Sequence, residues 1–207
     1  MSMNNTVSPF RTSQQRLDDR EAKRRAVMNA AVRMFNERGF HATSLEDVAA
    51  ELGISKPTIY HYLGNKDQVL LECISFGLEQ LREAAEAARQ QPGQGIDRLR
   101  SFLRRYSEIT MGDFGRCVIL TGEEALSEPS AVRFRSLKRE IDSAMRALID
   151  EGIADGSIAA TDPKLLAFTL AGALNWPARW YSPAGKESAS ELARQMVDIL
   201  TRGFAPR

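Results

Sequence analysis

The sequence predicts an all-α protein of about nine helices: an N-terminal three-helix module followed by a larger helical bundle. Three observations carry this. Apolar residues recur at three- and four-residue spacing along most of the chain, with no period-two stretch of the kind that marks strands. Residues 39–70, GFHATSLEDVAAELGISKPTIYHYLGNKDQVL, hold a helix cap, a turn and a second cap in close succession. Pro and Gly clusters then divide the remainder into pieces of helical length.

Taken in order, residues 1–18 are polar and aperiodic and are expected to form a disordered tail. Arg11 and Arg16 in that tail either reach a minor groove, as N-terminal arms do, or are simply solvated. A first helix is expected from Asp19 to Arg38, with Ala26, Ala30 and Phe35 on its packed face and Gly39 as its stop. Thr43 and Ser44 offer N-cap hydroxyls for the second, and Glu46 and Asp47 fall in its first turn, where acids suit the helix dipole. Leu45, Val48, Ala49 and Leu52 form its apolar stripe, and Gly53 ends it in the left-handed conformation that Gly reaches without a Cβ penalty. Ile54 fills the corner. Ser55 caps a third helix over 56–62, and Pro57 sits in the first turn, where its missing N–H costs nothing.

That third helix turns only Ile59 and Leu63 inward and leaves Lys56, Thr58, Tyr60 and His61 outside. A helix-turn-helix of this kind places its second helix in a major groove. Lys56 suits guanine acceptors, Pro57 or Thr58 a thymine methyl, and Ser55 faces the same groove. Thr43, Tyr60, His61 and Lys66 are expected on phosphates, with Ser44 beside them, fixing register without reading sequence. Gly39-Phe40, Thr43, Val48-Ala49, Gly53-Ile54-Ser55, Thr58-Ile59-Tyr60 and Lys66 together resemble the TetR family of one-component bacterial transcriptional regulators. Leu52, Pro57, Tyr62 and Gly64 depart from the family's usual residues without removing a DNA-contact type. The resemblance implies a homodimeric repressor on a palindromic operator, released by a small effector bound in the C-terminal domain. It divides the chain into a tail (1–18), a DNA-binding domain (19–66) and a ligand-binding and dimerisation domain (67–207).

Charge is distributed accordingly. Residues 11–66 hold ten Lys and Arg against seven Asp and Glu, net +3; the remainder holds eighteen against twenty, net −2, giving +1 for the whole. Phosphate attraction grows with the number of phosphates neutralised, so a bias this small favours two copies acting together.

Beyond Lys66, long helices are expected over 65–90, 96–109 and 129–153, a loop over 111–115 and a short helix over 117–126. Asp162-Pro163 starts a helix over 163–181 that is apolar or small on nearly every side and is therefore expected to be buried all round. A last helix is expected over 187–203, and pairing of these two with their copies would make a four-helix dimer interface. The aromatic and Met set (Phe76, Phe102, Tyr106, Met111, Phe114, Phe134, Trp176, Trp180 and Tyr181) is the candidate effector pocket, with Arg179 at its mouth, where Pro177 interrupts the helix. LNWPARWYSPAG (174–185) is similar to C-terminal regions of TetR members that answer to acyl-CoA thioesters, which implies an acyl-CoA effector with phosphates on Arg104, Arg105, Arg133, Arg135 or Arg179.

Other chemistries lack residues. The two His both fall in the helix-turn-helix, and no H-x-x-x-H, C-x-x-C, G-x-S-x-G or phosphate loop occurs, so neither an enzyme, a cofactor nor a metal is expected. Cys73 and Cys117 are too few for a disulfide framework, and Cys117 reads as a buried small hydrophobe or a redox-sensing thiol. No apolar run nears the roughly 20 residues of a membrane span, and a cytoplasmic location is expected. The competing function is a ligand-independent DNA-binding protein that recruits a protein partner through its C-terminal domain; a cavity among the aromatic set would favour the effector-bound alternative.

Overall fold

The computed structural model describes residues 13–202, and among these there are nine α-helices and no strands. They are α1 (Ser13–Arg38), α2 (Leu45–Glu51), α3 (Lys56–Leu63), α4 (Lys66–Arg89), α5 (Gly95–Met111), α6 (Asp113–Leu120), α7 (Glu128–Ala154), α8 (Pro163–Asn175) and α9 (Ala189–Arg202). Short 3₁₀ turns cover Glu123–Ala125 and Trp176–Arg179.

The helical head is built by local rules. Val27, Ala30, Ala31, Met34 and Phe35 form the buried stripe of α1, whereas Ala26 faces solvent one position too early. Ser44 and Asp47 cap α2 reciprocally, and Gly53, at φ +64°, turns the chain into α3, whose Ile59 and Leu63 are buried against the head. Asn65 and Gln68 make a second capping box that starts α4. From there one continuous core runs through α4 into the bundle, where α5 is central and flanked by α4, α6, α7, α8 and α9. α4 and α6 approach so closely at Gly77 that a Cβ there would lie 2.7 Å from the Phe114 carbonyl oxygen. Any side chain at Gly77 would push the two helices apart.

Four expectations change. α1 begins at Ser13, so the expected tail loses its last six residues to helix; Arg11 and the side chain of Arg16 lie outside the described residues. The expected loop over 111–115 shrinks to Gly112, because Met111 completes α5 and Asp113 already opens α6. The expected 117–126 helix accordingly sits earlier, ending at Leu120 before the 3₁₀ turn. α8 ends at Asn175 rather than 181: Pro177 has no N–H for an i−4 bond, and the chain tightens into a 3₁₀ turn, held by the Arg116 Nε–H donating 3.0 Å to the Ala178 carbonyl.

α8 is also not buried all round. Ala167, Leu170 and Leu174 face the core, but Leu165, Phe168 and Trp176 are 64%, 54% and 61% exposed. Gly172 lies on the same outer row, and apart from its own stretch of helix no heavy atom stands within 4 Å of where its Cβ would be. On α9, Ile199 is 68% exposed. Both helices thus leave large apolar side chains uncovered within the single chain.

Candidate nucleic-acid interface and effector cavity

The outward row of α3 is available. Lys56, Pro57, Tyr60 and His61 are exposed, and Ser55, ahead of the helix, pairs its hydroxyl with that of Thr58 at 2.8 Å instead of capping the helix. Lys56 and Tyr60 converge on one carboxylate oxygen of α2: the Lys56 Nζ lies 2.5 Å, and the Tyr60 hydroxyl donates across 3.1 Å, to Glu46 Oε1. This ion pair lowers the Glu46 pKa and raises that of Lys56. His61 packs edge-on against Tyr62, ring centroids 5.4 Å apart. Lys66, the first residue of α4, holds its amine 4.2 Å over the Phe40 ring; burial there pulls its pKa down, with Asp47 opposing.

Two expected phosphate contacts are corrected. Thr43 is 1% exposed, and its hydroxyl donates inward to the Met34 and Gly39 carbonyls at 3.3 and 3.0 Å, so it locks α1 to α2 and cannot meet DNA. Ser44 is half-buried, and its hydroxyl donates to Asp47 while accepting from the Asp47 N–H, which commits it to the cap of α2. Thr43→Val keeps the shape and removes the hydroxyl that serves the buried Met34 carbonyl and the part-buried Gly39 carbonyl. That costs about 1.5 kcal/mol, or about 5 °C in Tm, read by thermal unfolding.

A cavity of about 430 Å³ lies inside the bundle between α4, α5, α6, α7 and α8. Leu78, Leu81, Val118, Ile119, Ile141, Met145, Ala167 and Ala171 give it apolar walls; Thr110, Thr121, Glu123, Lys138, Asp142 and Asn175 supply polar groups. The Lys138 amine sits 5.0 Å over the Phe134 ring. Arg146, paired to Asp142 at 2.5 Å, and Lys164 lie 5.5 and 5.9 Å from the ring of Phe168, which lines the cavity and also reaches the surface. The Tyr106 hydroxyl donates 2.9 Å to Asn175 Oδ1, and burial pushes its pKa up to about 12.

Of the expected pocket residues, only Tyr106 and Phe134 line this cavity. Phe102 is fully buried behind it, its ring 5.7 Å from Tyr106, and Met111 is buried elsewhere in the core. Phe76 stacks edge-on against Phe114 in a separate surface cleft with Arg24, Arg25 and Met28. Trp176, just before the Pro177 break, and Arg179 and Trp180, just after it, are exposed and outside the lining. None of the five arginines expected on phosphates lines the cavity either: Arg104 pairs with Asp198, Arg105 with Glu108, and Arg135 with Glu123 and Glu128, while Arg133 and Arg179 face solvent. The missed signal is spacing. Ala167, Ala171 and Asn175 at i, i+4 and i+8 put small residues on one stripe of α8, opposite Phe134, Lys138, Ile141 and Met145 on α7.

Cavity and reading head are joined by covalent and hydrogen-bonded paths. α4 carries Lys66 at one end and the cavity residues Leu78 and Leu81 roughly 18 Å or more along its axis. Glu123, in the first 3₁₀ turn, lines the cavity. Just beyond that turn, Ser127 gives its N–H and hydroxyl to Asp67 at 2.7 and 2.9 Å, and the Ser130 hydroxyl adds a third bond of 2.6 Å. Burial alone would raise the Asp67 pKa, but these three donors outweigh it and hold it below the usual value. Cys73 and Cys117 are both buried free thiols, and burial pushes Cys117 up to about 11 and Cys73 well above its ordinary value. Among the described residues no group of three or more His, Cys, Asp or Glu is placed to hold a metal, and no helix is long and apolar enough to cross a membrane.

Known proteins share this fold. Residues 27–73 match the model for bacterial regulatory proteins of the tetR family, and residues 92–204 match the tetracyclin repressor-like C-terminal domain. The chain is 27% identical over 193 residues to the HTH-type transcriptional repressor KstR2 of Mycolicibacterium smegmatis, covering 88% of this chain and 91% of that one. Among solved structures it is similar to the transcriptional regulator PfmR from Thermus thermophilus, with 29% identity, a TM-score of 0.78, and coverage of 85% of this chain and 97% of that one. AibR in complex with isovaleryl coenzyme A and operator DNA has the same fold, at 23% identity, a TM-score of 0.74, and coverage of 86% and 97%. With the helix-turn-helix matched at one end and the C-terminal domain over more than half its length, the chain belongs to the TetR family of DNA-binding transcriptional regulators and is not an enzyme.

Proposed function

We propose that this regulator is a homodimeric repressor that leaves a palindromic operator when a small amphipathic effector fills the bundle cavity. The observation that carries this is the run of α4 from Lys66, beside the reading helix, to Leu78 and Leu81 in the cavity wall. An effector that prefers a tilted α4 changes the spacing of two α3 helices, which must sit about one helical turn apart to bind together. A preference of a few kcal/mol is enough to empty the site. The Asp67 bonds to Ser127 and Ser130 give the head end of α4 a second connection to the cavity wall. On DNA, Lys56, Pro57 and Thr58 face the bases with Ser55, and Tyr60, His61 and Lys66 the phosphates.

An existing cavity favours this function over partner recruitment by a filled bundle. Its apolar walls and the cations Lys138, Arg146 and Lys164 at or near its lining suit an apolar body carrying an anionic group, such as an acyl-CoA thioester. AibR, of the same fold, holds isovaleryl coenzyme A, and the similar KstR2 is named a repressor. The outer row of α8 and the exposed Ile199 of α9 supply the dimer face. The test titrates the purified protein on its own upstream DNA with short-, medium- and long-chain acyl-CoA thioesters and with coenzyme A alone. Release by one chain-length class is expected. Tight binding unmoved by every thioester would retire the acyl-CoA assignment and leave DNA binding standing.

A further inference from the structure

Glu46 stands on the DNA-facing side of the head, where an anion is unfavourable beside phosphates. It projects from the first turn of α2, and a single oxygen, Oε1, holds both Lys56 Nζ and the Tyr60 hydroxyl, two groups of the neighbouring α3. The Lys56 amine also lies 5.9 Å from the centre of the Tyr60 ring, so the three side chains form one cluster. The cluster is solvated: the Lys56 and Glu46 side chains are 64% and 40% exposed. Exposed pairs contribute little to stability, so holding the fold together does not account for it.

We infer that Glu46 is a specificity-setting residue: it restrains Lys56 and Tyr60 so that they are held for the operator and are less free to grip phosphates at random. Two physical consequences support this. A side chain already held in place loses less rotamer freedom on docking, which favours the geometry it is held in. A carboxylate beside Lys56 also subtracts one charge from the surface that meets the backbone, and sequence-independent affinity scales with the phosphates that surface neutralises. Binding to unrelated DNA is therefore penalised more than binding to an operator whose base edges take up Lys56 directly. The inference rests on α3 being the helix in the groove.

The experiment selects a duplex from a random-sequence library with the wild-type protein. It then compares wild type, Glu46→Gln and Lys56→Ala on that duplex and on a scrambled one between low and moderate salt. Gln keeps an acceptor for the Tyr60 hydroxyl and the length of the side chain, so the fold is retained, as circular dichroism will show. For Glu46→Gln the scrambled duplex is expected to bind more tightly, with a salt slope steeper by about 0.9 per protomer. The ratio of selected to scrambled affinity is expected to fall about tenfold, the order of one base-pair discrimination. An unchanged ratio and slope, or an equal loss on both duplexes, would overturn the inference. If Lys56→Ala changes the ratio while Glu46→Gln does not, Glu46 is refuted and the docking of α3 survives. If Lys56→Ala changes neither, the docking itself fails.

Discussion

Leu165→Asp combined with Gly172→Asp is expected to give a folded monomer whose operator affinity is at least about a hundredfold weaker than that of the wild type. Both positions lie on the outer row of α8, away from the core-facing Ala167, Leu170 and Leu174. Leu165 is 64% exposed, and the space over Gly172 is open in the single chain, as a close-packing partner helix requires. Neither position lines the cavity, so effector binding and fold are left intact. Carboxylates buried in a two-fold interface face their own copies, and like charges taken out of water oppose association strongly. The loss on DNA follows from linkage: a second α3 joined to the first binds at a high effective concentration, and a lone eight-residue α3 forfeits that gain. Light scattering with DNA titration reads both effects. A variant that stays dimeric, or a monomer that keeps its affinity, would remove α8 from the interface or the dimer from the mechanism.

Tyr60→Ala and Lys66→Ala are expected to weaken binding to every duplex alike, by about tenfold per substitution; Lys66→Ala also lowers the salt slope by about 2, one neutralised phosphate in each protomer, whereas loss of the uncharged Tyr60 leaves the slope nearly unchanged. Lys56→Ala is expected to shift which duplex is preferred. The difference follows from position. Lys66 opens α4 beside Phe40, at the flank of the head, and Tyr60 lies one turn along α3, whereas Lys56 is its first residue. First-turn groups of a recognition helix reach base edges, and flanking groups reach the backbone. Comparing selected and scrambled duplexes separates the two: a Lys66→Ala protein with altered sequence preference and unchanged salt slope would invert the assignment.

The head was legible because its signals are local. Gly53 at positive φ, the Ser44 cap and Pro57 in the first turn of α3 each act within a few residues, and their spacing alone implies the corner they make. Thr43 misled because a hydroxyl next to a cap looks like a surface group; only the packing of α1 against α2 turns it inward to Met34 and Gly39. The cavity was the least legible part. Aromatic residues signal apolar mass, but empty space is left where side chains are small, and Ala167 and Ala171 with Gly115 and Gly122 line it alongside Phe134. Phe102 and Met111 went to the core and Trp176 to the surface, according to the side of α5 or the end of α8 on which they fall. α8 looked buried all round for a related reason: a sequence records that a face is apolar without recording whether the same chain covers it.

Two copies of α3, set by one dimer, are expected to read an inverted repeat. Selection of duplexes from a random-sequence library by the purified protein, followed by sequencing, reads this out. The predicted result is a two-fold-symmetric consensus with half-sites about one helical turn, roughly 34–36 Å, apart. An enriched consensus without symmetry, or no enrichment over the starting library, would contradict it.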